Sequence, residues 1–204
     1  MRNYFNKQAN HWDEIACHNP LKLDIILGKL KLKAGHRVLD IGSGTGVLLK
    51  RLSSSVNPEG KIISLDIAEN MLYMAKEKHS SLKILYLQGS GEELPLRDES
   101  CHRVICYSVF PHFKNQLKIL GEIKRVLSPG GLMVIAHSES RDKINEIHSK
   151  LEGPVSKDYL PSGEEMCLLL EKQKFVIKDI IDNNEIYCFT AEKGSILWNF
   201  TPVT

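Results

Sequence analysis

Val38-Leu39-Asp40-Ile41-Gly42-Ser43-Gly44-Thr45-Gly46 is the stretch from which the rest of this chain is read. An aliphatic strand runs into three glycines at alternate positions, and an acid, Asp40, stands two residues before the first. The next hydrophobic run, Ile62-Ile63-Ser64-Leu65, closes on a second acid, Asp66, twenty residues past Gly46. Strand, glycine turn, helix, strand and acid form the grammar of a nucleoside-binding α/β fold. Gly42 and Gly44 let the backbone approach a ligand where a Cβ would collide. Asp66 sits where a carboxylate can accept both ribose hydroxyls.

The spacing narrows the nucleoside. A dinucleotide site wants Gly-x-Gly-x-x-Gly, with a helix N-terminus facing the pyrophosphate. Here the pattern from Gly42 is Gly-x-Gly-x-Gly, and Val47 takes the third dinucleotide position. No Lys-Ser/Thr pair makes a P-loop. Asp40 repels a pyrophosphate and suits a cationic ligand, such as a sulfonium bearing an amino group.

These residues resemble the class I S-adenosylmethionine (SAM)-dependent methyltransferases, in their small-molecule, type 11-like subgroup. Gln88-Gly89-Ser90-Gly91-Glu92-Glu93-Leu94-Pro95-Leu96 looks like the family's third cofactor loop. Leu127-Ser128-Pro129-Gly130-Gly131 looks like its turn before the fifth strand, and Tyr4-Phe5-Asn6 with Ala9 and Trp12-Asp13 is similar to its N-terminal lid helix. The resemblance covers most of residues 1 to 190 and implies SAM as cofactor. It also implies a Rossmann-like, doubly wound α/β sheet of seven strands, mostly parallel with an antiparallel last strand, and helices on both faces. It divides the chain into a lid or helical cap over 1–34, a SAM-binding core over 35–193 and a tail over 194–204. By the same resemblance Asp40, Gly42, Gly44 and Gly46 belong to the cofactor site, with Gly42 and Gly44 giving backbone contact to the methionine part. Asp66 takes the ribose, Ile67 flanks the adenine, Gly91 and Glu92 lie at the adenine edge, and the Ser108 carbonyl holds the α-amino group. The chain departs from the pattern where Ser90-Gly91 replaces an Asp-Ala pair and Cys101-His102 replaces Phe-Asp.

Periodicity supports this organisation. Apolar residues at Leu23, Ile26, Leu27 and Leu30 predict a helix within 15–33. Strands are expected at 37–41, 61–66, 83–88, 103–108 and 131–136, and crossover helices at 45–53, 69–79 and 114–127, the last with Leu117, Leu120, Ile123, Val126 and Leu127 inward. Asn57-Pro58-Glu59-Gly60 reads as a turn. Ser140 predicts an N-cap, and Ser162 with Glu165 a capping box. Two strands, 175–181 and 186–191, are joined by Asp182-Asn183-Asn184.

Composition bounds the partners. A chain of 204 residues is one domain or little more. A net charge of +2 argues against nucleic acid; the densest basic patch, Lys29 to Lys33, suits a helix C-terminus. Five cysteines, an odd number without Cys-x-x-Cys, favour a reducing compartment, and no signal peptide or membrane span is read, so a cytoplasmic location is expected. The expected partner is a small-molecule acceptor, with no nucleic acid, in a monomer or homodimer.

Methyl transfer is an in-line displacement whose thioether leaving group needs no acid, so catalysis rests on alignment in a dry site. A base is needed only for an acceptor that carries a proton. His112, after the fourth strand, and His137, at the end of the fifth, are the candidate bases or pocket walls; His148 lies on the following helix. Tyr4, Phe5 and Trp12 read either as core or as a lid over the acceptor pocket. Phe113, Arg141 and Tyr159 are further acceptor-pocket candidates, with Ser138 and Ser140 beside Arg141, although Arg141 also suits pairing with Glu139 or Glu146. Convergence of His112, His137 and His148 with Cys101 or Cys106 is a metal reading that the spacing does not require, and no metal is assigned. Cys101 reads as an exposed loop residue and Cys106 as a buried strand residue. The stretch after the fourth strand is Ser108-Val109-Phe110-Pro111 rather than an Asn-Pro-Pro-Tyr type, which argues against planar exocyclic nitrogen acceptors. Three further readings stay open: a SAM-binding sensor without turnover, transfer to a metal- or metalloid-linked acceptor through the three histidines, and, disfavoured by the glycine spacing, a nicotinamide dehydrogenase.

Overall fold

The computed structural model describes residues 1–56 and 59–194. Its centre is a strand apolar on both sides, β1 (Arg37–Ile41), whose alternate residues enter two cores: Val38 packs with one cluster, Leu39 and Ile41 with the other. β2 (Lys61–Asp66), β3 (Ile84–Gln88), β4 (Cys101–Tyr107), β5 (Leu127–His137), β6 (Phe175–Asp182) and β7 (Tyr187–Lys193) complete a seven-stranded sheet of order β3-β2-β1-β4-β5-β7-β6. β1 pairs in parallel with both β2 and β4, whereas β7 runs antiparallel between β5 and β6. The order reverses between β1 and β4, where the carboxyl ends of the two strands part and leave a crevice.

Helices cover both faces. α3 (Pro20–Lys29), α4 (Leu49–Val56) and α5 (Glu69–Lys78) place Leu23, Ile26, Leu49, Leu52 and Ala75 on one face. α6 (Gln116–Val126) and α8 (Gly163–Lys172) place Ile119, Leu120, Ile123, Met166 and Leu170 on the other, and Ile144 of α7 (Arg141–Lys150) packs at its edge. Full burial of such side chains contributes roughly 1.5–3 kcal/mol each. Ahead of the sheet, α1 (Arg2–Gln8), a 3-10 turn at Ala9–His11 and α2 (Trp12–Ile15) lie against α5, where Ala9 packs on Ala68 and Met71.

The expected fold is the observed one, and the departures have local causes. The helix expected within 15–33 begins only at Pro20, because the Asn19 side chain caps it by accepting from the Leu21 and Lys22 N–H groups. The first crossover helix starts at Leu49 rather than Thr45: the glycine turn continues through three left-handed glycines, with Gly46 at φ 85°. Leu117 is partly exposed and Ile119 takes its place in the core, since Asn115 caps α6 and sets its face. β5 begins at Leu127, which pairs with Cys101 before a register shift, so the turn-like Ser128 to Gly131 lies within the strand. That pairing also buries Cys101, contrary to the loop reading. Ser140 caps α7, and Ser162 with Glu165 forms a complete capping box. Part of the 57–60 turn and the tail with Trp198 and Phe200 lie outside the described residues.

Candidate active site

The crevice opens into a cavity of about 640 Å³, lined by the ends of β1, β2, β4 and β5, the loop after β3, and the N-terminal helices. Its floor is the glycine turn. The Gly42 N–H bonds the Leu65 carbonyl at 2.7 Å, tying the turn to β2. Gly42 has φ 67°, and a Cβ there would stand 2.3 Å from Val109 Cγ2, so no other residue fits without moving Val109 in the loop after β4. Gly44 lies under the indole of Trp12: a Cβ would be 3.6 Å from its Nε1. Gly46 is placed differently from its neighbours. It packs against Leu49 and His79 behind the turn and does not line the cavity.

Two acids face each other here. Asp66 accepts from the Gly44 N–H at 2.9 Å and the Ala68 N–H at 2.8 Å. Burial raises its pKa, and those backbone donors oppose the rise. Asp40 is wholly buried, and its Oδ2 has no hydrogen-bond partner among the described residues. Burial first, then the charge of Asp66, push its pKa up to about 7. An orphaned carboxylate oxygen on a cavity wall fits a ligand that brings positive charge, and a turn that excludes Cβ atoms fits one that lies flat on the backbone.

The loop after β3 is braced from behind. Arg125 donates to the Leu94 and Leu96 carbonyls, and Glu122 accepts from the Leu94 N–H. Gly91 and Glu92 reach the cavity. The Glu92 Oε1 accepts from the Lys114 and Asn115 N–H groups, linking this loop to the one after β4. Ser90 Oγ accepts from the Glu92 N–H at 3.1 Å, so the hydroxyl that replaces the family's carboxylate already serves its own turn. Ile67 is part-exposed at the rim, beside Asp66. Ser108 follows β4 with φ 54°, a left-handed conformation costing about 1–2 kcal/mol in a residue with a Cβ, and its N–H is held by the Ala136 carbonyl.

The far side of the cavity is aromatic and histidine-rich. His112 packs edge-on to Phe5, at 5.2 Å between ring centroids, and lies 5.1 Å from His148. Phe5 meets Trp12 at 5.5 Å and Tyr4 at 5.3 Å. Tyr4, Phe5, Trp12, His112, Phe113, His137 and His148 all line the cavity. His137 is fully buried, and neither ring nitrogen has a hydrogen-bond partner among the described residues. Burial, with the nearby imidazoles of His112 and His148, drives its pKa down to about 3, so it is neutral at any physiological pH. Among the described residues no group of three or more His, Cys, Asp or Glu side chains has the arrangement to hold a metal ion.

Besides Gly46, two predicted site residues fall elsewhere. Arg141 pairs with Asp142 at 2.8 Å and does not line the cavity, which α7 meets further along at Ile144, Ile147 and His148. Tyr159 is half-exposed beside Glu165 and lies on a separate shallow depression. Other residues enter unforeseen. His18 Nδ1 sits 2.9 Å from the Tyr107 hydroxyl, which is 2.7 Å from Oγ of Ser138, itself a candidate from the sequence, in a polar chain along one wall. Ile144, Ile147, Leu151 and Val155 supply an apolar one. Asp158 stands behind His112. None carries a local motif. A pairing register for β4 and β5 would have brought Tyr107 toward Ser138, both at strand ends, but Asp158 has no such signal.

The geometry places the chain in a class: a Rossmann-like cofactor fold whose crevice suits a cationic nucleoside. Residues 39–135 match the methyltransferase domain family. A malonyl-[acyl-carrier protein] O-methyltransferase of Marinomonas sp. strain MWYL1 is 32% identical over 157 residues, 76% of this chain and 57% of that protein. A ubiquinone/menaquinone biosynthesis C-methyltransferase of Wigglesworthia glossinidia brevipalpis is 38% identical over 103 residues, 48% of this chain and 41% of that one. The chain thus spans about half the length of these curated relatives. A crystal structure of a SAM-dependent methyltransferase from Aquifex aeolicus superposes with a TM-score of 0.70 and 26% identity, over 94% of this chain and 97% of that one. The chain belongs to the class I SAM-dependent methyltransferases, and S-adenosylmethionine is its cofactor.

Proposed function

We propose that this chain methylates a small molecule at the cavity between β1, β4 and the N-terminal helices. The observation that carries the reading is the pairing of a Cβ-excluding turn at Gly42 with the orphaned, fully buried Asp40 carboxylate. In this reading Asp66 holds the ribose, the Gly42–Gly44 backbone and the Ser108 carbonyl hold the methionine part, and Ile67, Gly91 and Glu92 border the adenine. Bound there, SAM supplies an electrophilic methyl group. The protein's own work is to orient the acceptor and exclude water. Phe5, Trp12, Phe113 and the histidines wall the acceptor side, with α1 and α2 as the cover.

Several features support a small acceptor. The cavity volume falls in the range of small-molecule sites, about 300–1,000 Å³. Its lining on the acceptor side is aromatic and aliphatic with a few polar atoms. Among the described residues no helix is long and apolar enough to cross a membrane. The cysteines, all free, agree with a reducing, cytoplasmic setting.

Incubation with methyl-labelled SAM and fractionated cell extract tests the proposal, with Asp66→Ala as control. Label in a low-mass fraction from the wild type alone is the expected result. Label in protein or nucleic acid contradicts the small-molecule acceptor. S-adenosylhomocysteine binding without transfer to any fraction favours the sensor reading.

A further inference from the structure

The cavity wall after β4 holds an imidazole–carboxylate pair. His112 Nδ1 lies 2.6 Å from Asp158 Oδ2, and both side chains are largely buried. Asp158 does not line the cavity and stands behind the ring. It is fixed there from two directions: its N–H bonds the Val155 carbonyl at 3.1 Å, and its own carbonyl takes the bond from His148 Nδ1 at 3.0 Å. His112 closes the short 3-10 turn Phe110–His112 and is flanked by the rings of Phe5 and His148. A ring clamped this way keeps Nδ1 on the carboxylate. A carboxylate accepts only, so the neutral ring carries its proton on Nδ1 and keeps a lone pair on Nε2, at the opposite side of the ring.

We propose that Asp158 is a positioning residue that holds His112 as general base, and that the acceptor is a compound that must lose a proton on methylation, an O–H or acidic C–H group. The proposal rests on the methyltransferase reading above. As the acceptor oxygen or carbon bonds the methyl carbon, the methyl–sulfur bond breaks and its electron pair stays on sulfur. The acceptor's proton passes to His112 Nε2, and the imidazolium, stabilised by Asp158, later releases it to water. His137 meets the acceptor differently. It is neutral, buried and unpartnered, with one donor and one acceptor nitrogen to offer, which suits an uncharged polar group such as a carbonyl or hydroxyl. The titratable groups acting on His112 are Asp158 behind it, His148 of α7 and His137 of β5, with Asp66 of β2 coupled electrostatically.

The imidazole itself can be read by NMR in 15N-histidine-labelled protein, with S-adenosylhomocysteine as probe ligand and His112→Gln to assign the signal. The expected result is a ring that carries its proton on Nδ1 and its lone pair on Nε2, a preference that Asp158→Ala removes and Asp158→Glu keeps. A wild-type ring protonated on Nε2 overturns the proposal even if a variant fails to fold, and so does an Nδ1 preference that Asp158→Ala leaves in place. In the labelled-transfer assay, His112→Gln and Asp158→Asn are expected to slow transfer on the order of a hundredfold while S-adenosylhomocysteine affinity stays within about twofold. Transfer at the wild-type rate overturns the proposal. A wild type that binds no S-adenosylhomocysteine removes the methyltransferase reading instead, so the two failures are told apart.

Discussion

Asp40 shows how one residue ties folding to ligand. Its carboxyl, with a pKa near 7 in the protein, is protonated over a range where an exposed aspartate is charged. A cationic ligand favours the charged form, so binding below pH 7 must expel a proton. Affinity for S-adenosylhomocysteine, whose methionine end carries an ammonium, is therefore expected to fall by up to about tenfold per pH unit below 7. Calorimetry in buffers of different ionisation enthalpy measures the released proton directly; Asp40→Asn should abolish both effects, and a flat affinity from pH 5 to 8 would contradict them. His137 has the opposite sign. Its pKa is depressed to about 3, so the unfolded chain binds more protons between pH 6.5 and 3, and stability is lost as pH falls through that window. His137→Leu removes this loss: urea melts should show its stability relative to wild type improving by about 2 kcal/mol from pH 8 to pH 5. Gly42→Ala combines a left-handed φ with a clash on Val109, and is expected to cost about 1–3 kcal/mol of stability and at least tenfold in S-adenosylhomocysteine affinity. Val109→Ala in the same chain removes the 2.3 Å contact but leaves the Val109 Cβ at 2.7 Å, so at most a partial rescue is expected. At this scale the sequence was eloquent where a motif is local: Asp40, Gly42, Gly44 and Asp66 are contiguous with their own strands. It was silent on Asp158 and His18, which reach the site only through tertiary packing.

The element that decides access is the N-terminal pair α1 and α2. It is fastened to α5 and the glycine turn by polar contacts rather than by a deep core. Arg2 meets Glu69, Asn6 accepts two hydrogen bonds from Asn70, and Asp13 takes Lys78 and the Thr45 hydroxyl. Contacts of this kind contribute about 1 kcal/mol or less each, so the element can open without unfolding the sheet. Asp13→Ala is expected to speed amide exchange across residues 2–15 by about fivefold or more while β1 and β4 stay protected. Equal exchange in the variant would mean that apolar packing of Ala9 and Phe5 alone holds the cover. Cap chemistry explains which element boundaries were legible. Ser140 and Ser162 announce their helices, whereas the Asn19-Pro20 cap lies masked inside a longer apolar period, and the glycine turn delays α4 because its left-handed residues cannot enter a helix.

For the molecule as a whole, the alternation of strands with helices pointed to an α/β sheet, and the family resemblance implied its doubly wound order and antiparallel last strand; the structure bears this out and splits Val38 and Leu39 between two cores. The cavity follows from that order, since the reversal between β1 and β4 parts their ends. What the order does not convey is which side chains of α7 and the following loop reach the cavity; His148 does and Arg141 does not, because seven residues put them near one helix face but about 10 Å apart along the axis. The central claim is that this crevice holds the nucleoside of SAM on the glycine turn and Asp66. Calorimetric titration of S-adenosylhomocysteine into wild type and Asp66→Ala, with NAD as the competing ligand, tests it most directly. The account predicts saturable one-to-one binding to the wild type, at least tenfold weaker binding to the variant, as expected for loss of hydrogen bonds to a charged group, and no displacement by NAD. Binding that ignores Asp66→Ala, or that NAD competes away, would contradict it.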